Sequence, residues 1–288
     1  MIAQLLFAAL QVQGADESLS SRIESVIAAV PGAQVAVAYV DSATGRSLYR
    51  NADSVYHAAS TMKVPVMMEL FRQAGSGGFS LDQPLLLVNE FRSIADGSPF
   101  TVTPEDDADT SLYAQLGTRV LVRDLLQRMI TRSSNLATNQ LIALVGAESV
   151  TAMIRRLGGQ RMTVLRGVED LKAFDRGMNN VATARDLAIL LSAITQARAE
   201  IRAHSAEMLN ILFAQEFNEK IPAGLPPGTR VAHKTGEITA HSHDAAIVYP
   251  ANRKPYVLVV LTRGIPDAKV SAKLIADISR VVYQFAIQ

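Results

Sequence analysis

Ser60 and Lys63 stand three residues apart in His57-Ala58-Ala59-Ser60-Thr61-Met62-Lys63, a spacing that a helix folds onto one face. A serine hydroxyl is a poor nucleophile until a base takes its proton, and lysine can be that base once burial or a second cation lowers its pKa. A helix start adds free backbone N–H groups and a positive dipole end, both suited to a developing oxyanion. A second group, Ser133-Ser134-Asn135, sets hydroxyls beside an amide, which suits proton relay and substrate hydrogen bonding. A third, Lys234-Thr235-Gly236, lies in a β run. There a glycine lets a ligand backbone come close, and a strand edge can bind an extended substrate. Each group has a plainer reading by itself: a capping serine with a surface lysine, a Ser/Asn helix cap, a solvent-facing lysine beside a bulge.

The elements that must position these groups follow from periodicity. Residues 17–29 carry apolar positions at helical spacing and stop at Pro31-Gly32. The runs 33–41 and 46–51, joined by Ser42-Ala43-Thr44-Gly45, predict a β-hairpin. From Ser60 to about Ala214 helical spacing dominates, in TMKVPVMMELFRQA, LVRDLLQRMI, ATNQLIALVG, ESVTAMIRRLG and TARDLAILLSAI. Long loops interrupt it at 92–113 and 162–181. Three β runs return in TRVAHKTGEI, SHDAAIVYP and KPYVLVVLTRG, with a turn at Pro250-Ala251-Asn252-Arg253, and an amphipathic helix closes the chain. Strands at both ends with helices between predict an α+β fold: one antiparallel sheet built from distant segments, with a helical lobe inserted. A site would lie in the cleft between the two.

Composition narrows the chemistry. The 288 residues are 49% hydrophobic and 19% charged, an ordinary globular balance. With 28 basic and 27 acidic residues the net charge is +1, and no basic stripe is present to attract nucleic acid. The absence of cysteine excludes thiol nucleophiles, disulfides and Cys-bound metal centres. The apolar run Ile2 to Leu10, followed by Gly14 and Ala15, predicts a secretory signal, although no positive charge precedes the run. It is far shorter than the about 20 residues of a membrane span. The expected division is a signal segment at 1–15, an α/β lobe from 16–59 and 223–288, and a helical lobe at 60–222.

The three groups also occur in a known order. Ser-x-x-Lys, Ser-x-Asn and Lys-Thr-Gly, as Ser60–Lys63, Ser133-Ser134-Asn135 and Lys234-Thr235-Gly236, make the sequence resemble the class A β-lactamases and related penicillin-recognising serine hydrolases over nearly its whole length. The resemblance implies a five-stranded antiparallel sheet flanked by N- and C-terminal helices. It implies Ser60 as nucleophile forming an acyl-enzyme, Lys63 as base, and Ser133 delivering a proton to the departing nitrogen with help from Lys234. It also implies Asn135 binding the substrate's side-chain amide and Thr235 and Lys234 its carboxylate, beside Gly236. The backbone N–H groups of Ser60 and Glu237 would form the oxyanion hole, where one donor is worth about 3 kcal/mol. The substrate would be a small β-lactam or a cell-wall peptide. No cofactor, metal, nucleic acid or membrane anchor is expected, the chain would act as a monomer, and the compartment would be periplasmic or extracellular.

Hydrolysis of the acyl-enzyme separates lactamases from cell-wall peptidases. In the family a loop glutamate activates the water, and Glu169 in Arg166-Gly167-Val168-Glu169-Asp170-Leu171 is the best match. The family's leucine and asparagine beyond that glutamate are replaced by Lys172 and Ala173, and the loop is about two residues short. Its plainer reading is a loop carboxylate paired with Arg166 or Arg176. Ser134 stands where the motif has a structural aspartate. Glu237 stands where the family has a small residue, and it should repel a substrate carboxylate unless Lys234 and a second cation compensate. That second cation is expected to be His243, with affinity weakening as pH rises through the histidine range. His241-Ser242-His243-Asp244 invites a metal reading, but two histidines make a poor zinc site. The expected activity is that of a serine β-lactamase; the alternative is a D-Ala-D-Ala peptidase, an esterase or a penicillin-binding sensor that deacylates slowly.

Overall fold

The computed structural model describes residues 18–197 and 202–288, and the expected signal segment lies outside them. Five strands form one antiparallel sheet in the order β2 (Ser47–Arg50), β1 (Gln34–Asp41), β11 (Tyr256–Arg263), β10 (His241–Tyr249), β9 (Arg230–Ile238). The two chain ends thus share a sheet, with β9 as one edge. Three short pairs join loops elsewhere: β3 (Tyr56–His57) with β8 (Val181–Ala182), β4 (Pro84–Leu86) with β7 (Arg119–Leu121), and β5 (Phe91–Arg92) with β6 (Pro99–Phe100).

The helices are α1 (residues 18–28), α2 (Lys63–Gly75), α3 (Val122–Thr131), α4 (Asn135–Val145), α5 (Ala147–Leu157), α6 (Leu171–Asp175), α7 (Ala184–Thr195), α8 (Ser205–Phe213) and α9 (Ala268–Ala286). Alternation along the strands divides the apolar residues between two faces. Val37, Tyr39, Leu258 and Val260 point outward against Leu19 and Ile23 of α1 and Ile275, Ile278 and Val282 of α9. Ala36, Ala38, Val257 and Val259 point inward and join Met68, Phe71, Leu187 and Leu191 in a core that the sheet and the helical segment share. Each large side chain so buried contributes about 1.5–3 kcal/mol. The shared core fixes β9 against the N-terminal end of α2, which creates the cleft.

Sequence periodicity did not predict α6 and α8. Helix α6 is one turn inside the loop expected at 162–181, held by the Asp170 carboxylate accepting from Ala173 N at 3.2 Å. In α8 the run SAEMLNILF is too short to establish a period, and packing of Met208, Ile211 and Leu212 into the core stabilises it.

Candidate active site

Ser60 sits in a 3₁₀ turn, Ala59–Met62, that runs directly into α2. Ala59 just before it has φ 45°, a left-handed conformation costly for a residue with a Cβ. Strand β9 presses onto this turn at Gly236. A Cβ there would stand 3.0 Å from the backbone nitrogens of both Ser60 and Thr61, so a side chain would push the strand and the turn apart. On the other side, Ala58 N donates to Asn180 O at 2.9 Å and β3 pairs with β8, tying the turn to the loop that carries Glu169.

Lys63, the first residue of α2, is buried. Its Nζ donates to Ser133 O at 2.6 Å, Ser133 Oγ at 3.1 Å and Asn135 Oδ1 at 2.9 Å. Burial pushes this ammonium down to about 7, against the opposing pull of the Asp107 and Glu169 carboxylates. Lys234 is buried too, and its Nζ donates to Ser133 Oγ at 3.1 Å and to Thr235 O at 2.9 Å. Burial, reinforced by Lys63 and Lys220, pushes it well below the usual lysine range. All three sequence groups therefore meet at one oxygen. Two ammonium donors fill both lone pairs of the Ser133 hydroxyl and leave its proton for a third partner. Among the described residues, no hydrogen bond joins the Ser60 hydroxyl to Lys63.

Ser133 is free for this because its neighbour does the capping. Ser134 Oγ accepts from Ala137 N at 3.2 Å at the start of α4, while Ser133 takes φ 58°. The carboxylate missing from position 134 arrives from the long loop. Asp107 accepts from Asn135 N at 2.9 Å and Leu136 N at 2.8 Å, with Ser134 Oγ at 3.3 Å. This cap carries no sequence signal, because nothing local reveals which helix end a distant carboxylate will meet.

Glu169 has φ 60°, so Ala59, Ser133 and Glu169 account for three of the seven non-glycine residues with positive φ among those described. Backbone strain gathered at one locus is characteristic of functional sites and argues against simple caps. The loop is clamped at Val168, whose N–H donates to Asn139 Oδ1 at 2.7 Å and whose carbonyl accepts from Asn139 Nδ2 at 2.9 Å. Gly167 has no room for a side chain, as a Cβ would meet Asn139 Oδ1 at 2.6 Å. Asp170 anchors the far side on Ser93 Oγ at 2.7 Å and Ile94 N at 3.0 Å. The arginines considered as partners of Glu169 are engaged elsewhere. Arg166 donates to Met178 O, Gly167 O and Asn179 Oδ1, and Arg176 to Ala95 O. Glu169 accepts from Asn135 Nδ2 at 3.4 Å, and burial with the nearby Asp106 carboxylate raises its pKa.

Two cavities open from this centre. Ser60, Ser133, Asn135, Thr235, Gly236 and Glu237 line one of about 270 Å³. Ser60, Asn135 and Glu169 line a second of about 360 Å³, together with Leu171, Phe174 and Ile238. Within the second, His57 Nδ1 accepts from Ala59 N at 3.1 Å, and burial pushes its ring down to about 4.

The expectation for His243 is corrected. The residue is fully buried in the interior strand β10, its Nε2 donating to His57 O at 2.9 Å and its Nδ1 accepting from Thr262 N at 3.2 Å. Burial pushes it down to about 3, so the ring stays neutral and faces no substrate. Helices cover this sheet on both faces, so β10 buries Ala245 and Ile247 in one core and Ala246 and Val248 in the other. The cation beside Glu237 is instead Lys220, 2.8 Å from Glu237 Oε1. It lies in an aperiodic stretch before β9 and carries no sequence signal.

Comparison with known proteins agrees with this geometry. Residues 18–286 match the model of the beta-lactamase enzyme family. Beta-lactamase AST-1 of Nocardia asteroides is 30% identical over 256 residues, covering 87% of this chain and 78% of that protein. A beta-lactamase of Streptomyces fradiae is 27% identical over 248 residues, with 84% and 78% covered. Among solved structures, PBP-A superposes with TM-score 0.80 at 27% identity, covering 93% of this chain and 95% of its own. A PBP-A variant solved as an acyl-enzyme complex with penicillin G gives TM-score 0.78 at 27% identity over 93% and 96% of the two chains.

Proposed function

The chain belongs to the beta-lactamase enzyme family and is a class A-like serine β-lactamase; from that premise we propose that it opens the β-lactam amide through an ester on Ser60, hydrolysed by water that Glu169 activates. Neutral Lys63 takes the Ser60 proton as the oxygen bonds to the lactam carbonyl. The backbone N–H groups of Ser60 and Glu237 hold the oxyanion. The C–N bond then breaks, Ser133 gives its proton to the nitrogen, and the Lys63 ammonium restores it. In the second half Glu169 takes a proton from water, hydroxide adds to the ester, and the Ser60–carbonyl bond breaks as the proton passes to Ser60. The product is the ring-opened amino acid, and Lys63, Ser133 and Glu169 end as they began.

The observation that carries this reading is the Ser133 hydroxyl held at 3.1 Å by each of two buried lysines. A structural cap needs neither. Buried amines with depressed pKa are costly to keep, and they serve proton transfer near neutral pH. Asn135 and the apolar wall of Leu171 and Phe174 would receive the acyl side chain, and Thr235 and Lys234 the ring carboxylate. Every group comes from one chain, so the cycle needs no second copy. We place its working compartment outside the cytoplasmic membrane, on the strength of the apolar run before Gly14-Ala15. No helix among the described residues is long and apolar enough to cross a membrane.

A second reading, a penicillin-recognising protein that acylates and releases slowly, is favoured by the Lys172-Ala173 departure and by the likeness to a PBP-A variant solved as an acyl-enzyme complex with penicillin G. A chromogenic cephalosporin separates the two. Steady turnover, lost in Ser60→Ala, supports the lactamase; a single stoichiometric burst supports slow release.

A further inference from the structure

We propose that Glu237, held beside the carboxylate site of the cleft by its ion pair with Lys220, makes the enzyme select β-lactams carrying a positive charge on the departing side. The inference deepens the lactamase reading and rests on it. Lys220 has a side chain only 1% exposed and lies 2.8 Å from the Glu237 carboxylate, whose own side chain is 50% exposed. The lysine is built in rather than adventitious. Ile221 N donates to Asp244 Oδ2 at 3.0 Å and Ser279 Oγ donates to Ile221 O at 2.9 Å, fixing the segment against the sheet. Ser242 Oγ adds a contact to Glu237 Oε1 at 3.4 Å.

The ring carboxylate of an ordinary penicillin or cephalosporin, received at Thr235 and Lys234, would lie beside the Glu237 carboxylate, and can draw on Lys220 only by breaking that pair. Lys234 is shared with Ser133 Oγ and Thr235 O, and His243 is buried within β10. The charge lining the same cavity points the same way: Asp106, Glu219 and Glu237 line it, with Lys220 as the cationic side chain among the lining residues. A cation placed beyond the lactam ring would instead meet the half-exposed Glu237 carboxylate and favour the complex. Glu237 is then a specificity-determining residue through its side chain, apart from any contribution of its backbone N–H.

The test compares two cephalosporins with the same acyl side chain and ring carboxylate, one with a pyridinium at C3 and one with a neutral acetoxy group. Acylation of Ser60 and kcat/KM are measured for wild type and Glu237→Gln at low and high salt. The ratio between the two compounds cancels any general loss of activity or folded protein. Wild type is expected to favour the cationic compound, the preference falling roughly fivefold in Glu237→Gln and weakening with salt, with most of the change in KM. A ratio untouched by Glu237→Gln overturns the proposal while leaving the lactamase reading intact. No acylation by either compound overturns both.

Discussion

Lys63 Nζ donates to Ser133 Oγ at 3.1 Å across 70 residues of chain. The contact joins the start of α2 to the turn before α4. Burial holds Lys63 down to about 7, which brings its neutral form within reach near neutral pH.

That value predicts a pH profile. The lysine accepts a proton only when neutral, so the acylation rate should rise with pH through about 7 and level off above it. Glu169 serves as a base only when ionised, and its raised pKa moves the acid limb of the hydrolysis step above the usual carboxylate range. Single-turnover acylation and steady-state kcat between pH 5 and 9 check both limbs. An acylation rate flat across that range contradicts the role given to Lys63.

Gly236→Ala should disable the enzyme without unfolding it. The new Cβ meets the backbone nitrogens of Ser60 and Thr61 at 3.0 Å, so β9 and the nucleophile turn must move apart. A displacement of that kind costs on the order of 10²-fold in acylation. Thermal denaturation beside acylation kinetics separates loss of alignment from loss of fold.

Ser134→Asp restores the family's residue and should nevertheless weaken this protein. The new carboxylate would enter beside Asp107, which already lies 3.3 Å from Ser134 Oγ and accepts from Asn135 N and Leu136 N. Two carboxylates at one helix start repel, and a loss of about 1–2 kcal/mol is expected, relieved when Asp107→Asn is added. Denaturant unfolding of the single and double variants measures it.

How much of this was legible in the sequence depends on distance along the chain. The strands β9, β10 and β11 and the helices α2 to α5 and α7 announce themselves locally by period, and the three motifs by order. What a spacing of 70 or 170 residues cannot give is convergence on the Ser133 hydroxyl; that expectation came from resemblance, and the geometry here supplies it. The Asp107 cap and the Lys220–Glu237 pair were missed for the same reason, since each joins an irregular segment to a distant partner. His243 was misread through position alone. Its strand lies in a sheet that helices cover on both faces, and that burial depends on packing with distant segments.

The account turns on whether an ester at Ser60 forms and is then released by the Glu169 carboxylate. Intact-mass spectrometry of Glu169→Ala during incubation with a cephalosporin, run beside wild type, tests this most directly. The account predicts a persistent adduct of one substrate mass on the variant, mapped to the peptide containing Ser60, while wild type turns over and stays unmodified at steady state. Turnover by Glu169→Ala at the wild-type rate, with no adduct, would contradict it.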